Sequence, residues 1–395
     1  MTTVRKIRLG VAGLGRAFTL MLPTFVADPR IELAGAADPR PEARSRFESD
    51  FGARAYDSIE PLCDDRSIEA IYVASPHQFH AEHVRLAVTA GKHVLVEKPM
   101  ALSIDECQSM IDAARNGRVH LIVGHSHSFD APILRTRALI ASAAFGPLRM
   151  LTALNFTDFI YRPRRPEELS TREGGGVVFS QAAHQVDIVR LLAGGLVRTV
   201  RAFTGAWDPS RPTEGAYSAL LQFDGGAFAS LTYSGYAHFD SDELCDDIGE
   251  LGQPRDPARY GAARQALASI GSAIEESRAK ASRGYGGAQY SREAVAPAHH
   301  QHFGFIIASC EHADFRPMPD RVLIYGDSEE RSESLPPPTI PRREVIDELY
   351  DAIVHDRAPF HSGEWSLATT EVCLALLQSA NDRREVVLQH QVACA

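Results

Sequence analysis

Residues 93–100 read HVLVEKPM, a short β-branched run that stops abruptly at Glu97-Lys98-Pro99, a carboxylate, an ammonium and a chain breaker. Open parallel sheets hold their ligand-facing groups at the carboxyl ends of strands, in the crevice outside the sheet. A buried strand over residues 94–96 therefore delivers Lys98 to that crevice. Pro99 cannot continue the strand, and it restricts the backbone of the residue before it.

Upstream, Ile7–Ala12 (IRLGVA) is a small apolar run and residues 17–26 are an apolar helical segment closed by Asp28-Pro29. Ile31–Ala37 (IELAGAA) reads as a second strand ending at Asp38, and Pro41–Phe51 as a helix with charges on one side. Residues 68–74 are another buried strand, followed by Ser75-Pro76; residues 80–90 form a helix with Gly91 where a C-terminal cap belongs. Beyond the lysine, Ser103-Ile104-Asp105-Glu106 has capping-box spacing and opens a helix to about Arg115, and residues 119–123 are the last strand. Strands alternating with helices predict an α/β fold whose first domain, residues 1–127, is a doubly wound parallel sheet.

In that context Gly13-x-Gly15 has a physical task. The glycines permit a tight turn and let backbone N–H groups approach a pyrophosphate, while the following helix, opened by Arg16 and Ala17, adds positive potential. Asp38 lies where an acidic residue accepts hydrogen bonds from the adenosine ribose. The third small residue of the fingerprint would fall at Phe18, so Ala17 supplies it in a shifted register. Asp38 repels a 2′-phosphate and favours NAD, while Arg40 beside it could bind that phosphate and keeps NADP open. Ser75, His77, His80, Glu97 and Lys98 complete the cofactor-facing set; the two histidines contact cofactor or cap the helix.

The chain has 395 residues, 44% hydrophobic and 23% charged, enough for two domains with separate cores. A formal charge of −10 argues against broad nucleic-acid binding, yet a local arginine cluster can still hold an anionic small molecule. Six cysteines without a CxxC pair predict reduced thiols in the cytoplasm. No apolar run reaches the ~18 residues of a membrane span. His299-His300-x-His302 lacks a cysteine or carboxylate at ligand spacing, so no metal is expected.

The order GVAGLG, acidic strand end, Pro76…His80 and GKHVLVEKPM resembles the Gfo/Idh/MocA family, and the likeness continues in Gly174-Gly175-Gly176…His184-Gln185-Val186-Asp187 and in the C-terminal PFHSGEWSLATTEVCLALLQSA. The resemblance implies a Rossmann domain followed, over residues 128–395, by an α/β domain with an open, mostly antiparallel sheet that mediates homodimers or homotetramers. It also implies that Lys98 is the active-site lysine and His184 the second catalytic group. The residues agree: removing hydride from a carbinol carbon requires taking the hydroxyl proton at nearly the same time, which a neutral histidine or a depressed lysine can do. Glu97 would tune Lys98 and Asp187 would orient His184.

Many relatives carry Asp four residues before that histidine; this chain has Ser180, then Gln181, which can instead bond substrate or the nicotinamide carboxamide. His125 and His127, in GHSHSFD, replace an Asn/Gln-x-Arg pattern and would line the substrate pocket. Arg162, Arg164 and Arg165 read as a solvated basic loop or as a carboxylate clamp, because arginine forks bind carboxylates bidentately. Ala216–Phe223 and residues 227–233 form a hairpin around Asp224-Gly225-Gly226. An insertion spans about 238–302; Leu267, Ile270 and Ile274 form one stripe of an amphipathic helix in it, and Gly284–Gly287 a flexible loop. This long form resembles the phthalate 4,5-cis-dihydrodiol dehydrogenase branch, implying NAD-dependent oxidation of a ring cis-diol to a dihydroxy aromatic. The rival readings are a sugar or cyclitol dehydrogenase and a non-catalytic NAD sensor.

Overall fold

The computed structural model describes residues 4–290 and 297–394. They cluster into two units that interleave along the chain: residues 4–125, 277–290 and 340–367 form one, and residues 126–276, 297–339 and 368–394 the other. Segments 277–290 and 340–367, which lie in the second half of the sequence, thus belong with the first unit.

The first unit begins with β1 (Ile7–Ala12), α1 (Arg16–Ala27), β2 (Ile31–Ala37), α2 (Pro41–Phe51), β3 (Arg54–Tyr56), α3 (Ile59–Asp64), β4 (Ala70–Val73), α4 (His80–Thr89), β5 (His93–Val96), α5 (Ile104–Gly117) and β6 (Leu121–Val123). Its sheet is wholly parallel, in the order β3-β2-β1-β4-β5-β6. Buried Ile71, Val73, Val94 and Val96 pack against Val84, Met110 and Ile111, which is why the central strands read as continuous apolar runs. Half of the capping box forms: Ser103 Oγ accepts from the Glu106 N–H at 3.2 Å, while Glu106 Oε2 accepts from the Leu102 N–H at 3.1 Å, one residue before the cap.

Register decides what this sheet presents. Ala12 pairs with Ala37 and Val73, Val73 with Val96, and Val96 with Val123. The strands therefore end level. Asp38, Gly13, Ala74-Ser75, Glu97-Lys98 and Gly124-His125 stand in one row along the carboxyl edge.

The second unit carries α6 (Ala131–Ala141), β7 (Leu148–Phe156), α7 (Ala183–Ala193), β8 (Val197–Gly205), β9 (Ala216–Phe223) and β10 (Phe228–Ser234). Within the insertion come α8 (Ala262–Ala268) and α9 (Ala273–Ser282), then β11 (Phe305–Cys310), β12 (Ala313–Met318), β13 (Arg321–Gly326) and β14 (Glu330–Ser334). Helices α10 (Arg343–His355) and α11 (Gly363–Asp382) and the short β15 (Val386–Val387) end the chain. Nine strands run in the order β14-β13-β12-β11-β7-β10-β9-β8-β15, antiparallel throughout except for β7 beside β10. One face of this sheet is covered. The other leaves Phe203, Leu220 and Phe228 exposed.

Two readings of the insertion change. The stripe Leu267, Ile270, Ile274 is not one helix: α8 ends at Ala268, α9 starts at Ala273, and Ile274 is exposed. The break falls at Ser269–Ser272, where Gly271 has no helical preference. The glycine-flanked loop is not loose at Tyr285, which is fully buried. Its ring stands edge-on to Phe18 at 5.1 Å and its hydroxyl donates to Asp50 Oδ2 at 2.7 Å. Phe18 occupies the place where the fingerprint wants a small residue, and Tyr285 and Phe47 cover it.

Candidate active site

Gly13 adopts φ +101°, and a Cβ there would meet the Ala74 carbonyl at 2.7 Å, so only glycine allows β1 to turn this tightly against β4. A Cβ on Gly15 would meet nothing within 4 Å. That open cradle at the N-terminus of α1, which has no side-chain cap, fits a pyrophosphate. Asp38 is buried and already organised: Oδ2 accepts from the Leu14 N–H at 2.8 Å, and Oδ1 from Arg40 N and Nε, each at 2.9 Å. Arg40 Nη2 also donates to the Leu14 carbonyl at 2.8 Å, so its guanidinium is committed beside Asp38.

Further along the same edge, Tyr72 donates its hydroxyl to Glu97 Oε1 at 2.6 Å inside the core. Burial raises the Glu97 carboxyl above the usual range, against the opposing Tyr72 hydrogen bond and the charges of Lys98 and Arg342. Lys98 follows at the strand end, half-buried, and its peptide to Pro99 is cis. His80 is fully buried, Nδ1 at 2.9 Å from the Pro99 carbonyl and Nε2 at 3.0 Å from the Ser75 carbonyl; burial lowers its pKa. It ties the loops after β4 and β5 together, and its ring meets the half-buried His77 at 5.6 Å. His125, also buried, directs its backbone N–H to Glu97.

The second unit gathers a different set. The triple glycine leads into a wide helical turn at Val178–Ala182, carrying Ser180 and Gln181, which continues into α7. Such wide turns recur at functional sites. Gly176, at φ +79°, abuts the buried Glu214 carboxylate, which accepts the Val178 N–H at 3.1 Å and fixes the start of the turn. His184, on the first turn of α7, is 6% exposed. Its ring lies edge to face with that of His127, centroids 4.7 Å apart, and both stand 5.1 Å from the ring of Phe303. Phe303 stacks on Tyr233, and Tyr233 on Tyr217, as an aromatic floor.

Asp187 accepts from Ser128 Oγ and, at 2.9 Å, from Thr369 Oγ1. It pins α7 to the turn that carries His127. His127 Nδ1 lies 2.7 Å from Asp130 Oδ2 and Nε2 3.4 Å from Glu250 Oε1. Each clamp arginine has a partner: Arg162 pairs with Asp158 at 3.0 Å, Arg164 lies 3.6 Å over the Phe159 ring and 3.9 Å from Glu168, and Arg165 pairs with Glu167 at 3.0 Å. Of the three, Arg162 acts on both Glu250 and Tyr233 and so belongs to the histidine cluster. His302 Nδ1 accepts the Gly304 N–H at 3.1 Å and Nε2 faces the Ile248 carbonyl at 2.8 Å, a neutral tautomer spent on backbone.

Sequence reasoning missed Tyr72, Asp130, Glu250 and Phe303. Asp130 had a signal, standing three residues after His127. Tyr72 and Phe303 look like ordinary core residues, and Glu250 is one acid in an acidic run.

A glycine cradle at the end of β1, a buried acid at the end of β2 and a lysine at the end of β5 define a dinucleotide-binding oxidoreductase. Residues 7–125 match an oxidoreductase family described by its NAD-binding Rossmann fold, and residues 133–253 match the GFO/IDH/MocA C-terminal domain. The chain belongs to the Gfo/Idh/MocA family and is an NAD-dependent oxidoreductase. It is 46% identical over 391 residues, 98% of each chain, to the 1-carboxy-3-chloro-3,4-dihydroxycyclohexa-1,5-diene dehydrogenase of Comamonas testosteroni. A solved protein of Bordetella bronchiseptica RB50 is 40% identical over 97% of this chain and 100% of that one, with a TM-score of 0.90. The WlbA dehydrogenase of Bordetella pertussis, solved with NADH and UDP-GlcNAcA, shares the fold at 21% identity, 98% and 99% coverage and a TM-score of 0.69. No helix among the described residues is long and apolar enough to cross a membrane.

Proposed function

We propose that this protein oxidises a ring-carboxylated cis-dihydroxycyclohexadiene to the corresponding dihydroxy aromatic, with phthalate cis-4,5-dihydrodiol the leading candidate. The observation that carries the reading is the 46% identity to the Comamonas testosteroni dehydrogenase, which runs over 98% of both chains and so includes the long insertion.

NAD, when bound, supplies the hydride acceptor. The chain's own groups handle protons. Lys98 and His184 are the acid–base groups: one takes the hydroxyl proton as hydride leaves the carbinol carbon. Enolisation of the resulting ketone then passes the remaining ring C–H proton to a base while the ketone oxygen takes a proton back, for a net loss of one hydride and one proton. Restoring the aromatic ring provides driving force, so Ser180 in place of an aspartate costs less here than in cyclitol oxidation. The aromatic floor of Phe303 and Tyr233 suits a flat ring, and Arg162, the most exposed of the three arginines, takes a ring carboxylate.

The exposed sheet face is an interface between copies of this chain. Leu220, paired with Ser230, is 58% exposed, Phe203 is 63% exposed, and Phe228 and Met150 lie beside each other in register. Sedimentation velocity should find a dimer or tetramer, which Leu220→Asp should weaken.

Activity decides the substrate. The purified protein with NAD should oxidise phthalate cis-4,5-dihydrodiol or the carboxy-chloro diol far faster than any pyranose or inositol. Faster oxidation of a sugar would overturn the reading, and NAD binding without turnover on any of these would favour a sensor.

A further inference from the structure

The histidine cluster contains a device that the role of His184 alone does not require. His127 has a carboxylate at each ring nitrogen, Asp130 at 2.7 Å and Glu250 at 3.4 Å. A neutral imidazole carries one N–H and one lone pair, and a lone pair facing a carboxylate repels it. Two acceptors on opposite ring nitrogens are satisfied together only when both nitrogens carry protons. The edge of that ring meets the His184 imidazole at 4.7 Å, and Phe303 screens both from water. A fixed cation there opposes a second positive charge on His184.

We propose that Glu250, contributed by the inserted segment, acts with Asp130 to hold His127 as a permanent imidazolium against His184, which keeps His184 uncharged and able to accept a proton. His127, Asp130 and Glu250 are then positioning residues. The proposal rests on the reading of His184 as an acid–base group.

Three further observations support it. Glu250 is held in place by backbone: the His302 N–H donates to the Glu250 carbonyl at 3.3 Å, and His302 Nε2 engages Ile248 two residues earlier. The Ser128–Asp187 bond sets the spacing of the two imidazoles. The charges around the His127 ring favour the imidazolium on balance. Burial would lower the His127 pKa, but Asp130 and Glu250 outweigh it and raise it. Burial would likewise raise the Glu250 carboxyl, yet the hydrogen bond and charge of His127, with the charge of Arg162, hold it down to about 2. Asp242, 3.7 Å from His302, is pushed up to about 8 by burial and by Asp240 and Glu250, so it adds little negative charge at neutral pH.

The test is imidazole ¹⁵N NMR on the full chain labelled at histidine, with His127→Gln identifying the His127 signals. In the wild type both His127 nitrogens should carry protons at pH 7.5. Glu250→Gln should lower the His127 titration midpoint by roughly one unit or more, the usual effect of losing an adjacent opposite charge. It should move the acid limb of the kcat/KM profile to higher pH, because His184 then protonates more easily, and Glu250→Asp should restore part of both shifts. A neutral His127 at pH 7.5 in the wild type would overturn the proposal, as would an unchanged midpoint and acid limb in Glu250→Gln. The NMR arm needs no turnover. If no dihydrodiol is oxidised, the substrate reading fails while the charge on His127 is still decided.

Discussion

Tyr72 donates its hydroxyl to Glu97 across the strand pair β4–β5, 2.6 Å apart in a site closed to water. The bond stabilises a carboxylate that burial disfavours, and that carboxylate is the nearest fixed charge to Lys98 in sequence. Tyr72→Phe keeps the ring against Phe25 and removes only the donor. Hydrogen bonds to charged groups contribute about 1.5–3 kcal/mol. Urea denaturation of the variant should show a loss of that size.

Lys98→Ala and His184→Ala should each lower turnover by roughly a hundredfold or more, the range for losing a general acid or base. NAD affinity, followed by quenching of protein fluorescence, should change little in His184→Ala, because that residue lies outside the nucleotide-binding edge. Wild-type turnover in both variants would remove the two residues from the chemistry.

The parallel sheet was legible because its central strands are short β-branched runs, each stopped by Gly, Asp or Pro at the ligand edge. Strand β3 was not, since three residues, one exposed and two half-buried, carry no period. The positions of Lys98 and His184 were legible from EKP and HxxD, but their surroundings depend on distant partners. Glu250 acquires meaning only from His127, and the burial of Tyr285 only from Phe18 and Phe47, more than two hundred residues away in sequence. Local glycine content suggested looseness there, while tertiary packing decided otherwise.

Cofactor choice follows from the Asp38–Arg40 pair. Arg40 is bound by Asp38 and the Leu14 carbonyl, so a 2′-phosphate would have to break both contacts and approach a buried carboxylate. The wild type should prefer NAD to NADP. Asp38→Ala removes the repulsion and frees the guanidinium, so the ratio of kcat/KM for NADP over NAD should rise by roughly ten- to a hundredfold, the equivalent of one charged hydrogen bond.

Stability should depend on pH through Asp242 and Glu250 in opposite directions. The Asp242 carboxyl, at about 8 when folded, lies above its unfolded value near ~3.9, so the native state binds more protons between them. Its contribution is complete below about pH 4 and is lost as pH rises towards 8. Asp242→Asn should remove that decline in thermal melts. Glu250, at about 2 when folded, contributes above its unfolded value near ~4.3 and loses that contribution as pH falls towards 2. Glu250→Gln should therefore blunt acid destabilisation.

Tyr285 should behave as a core residue of the nucleotide-binding unit although it lies in the insertion. Its ring fills the space between Phe18 and Phe47, and its hydroxyl engages Asp50, which Arg46 also holds at 2.9 Å. Tyr285→Ala should cost about 3–5 kcal/mol, the range for emptying a buried aromatic site, and Tyr285→Phe about 1.5–3 kcal/mol for the bond to a carboxylate. Because Tyr285 covers Phe18, Phe18→Leu and Tyr285→Ala should not add in a double-mutant cycle, and a coupling of about 0.5–3 kcal/mol is expected. Additive losses would mean that the insertion packs on α1 and α2 without compensating for the bulky residue in the fingerprint.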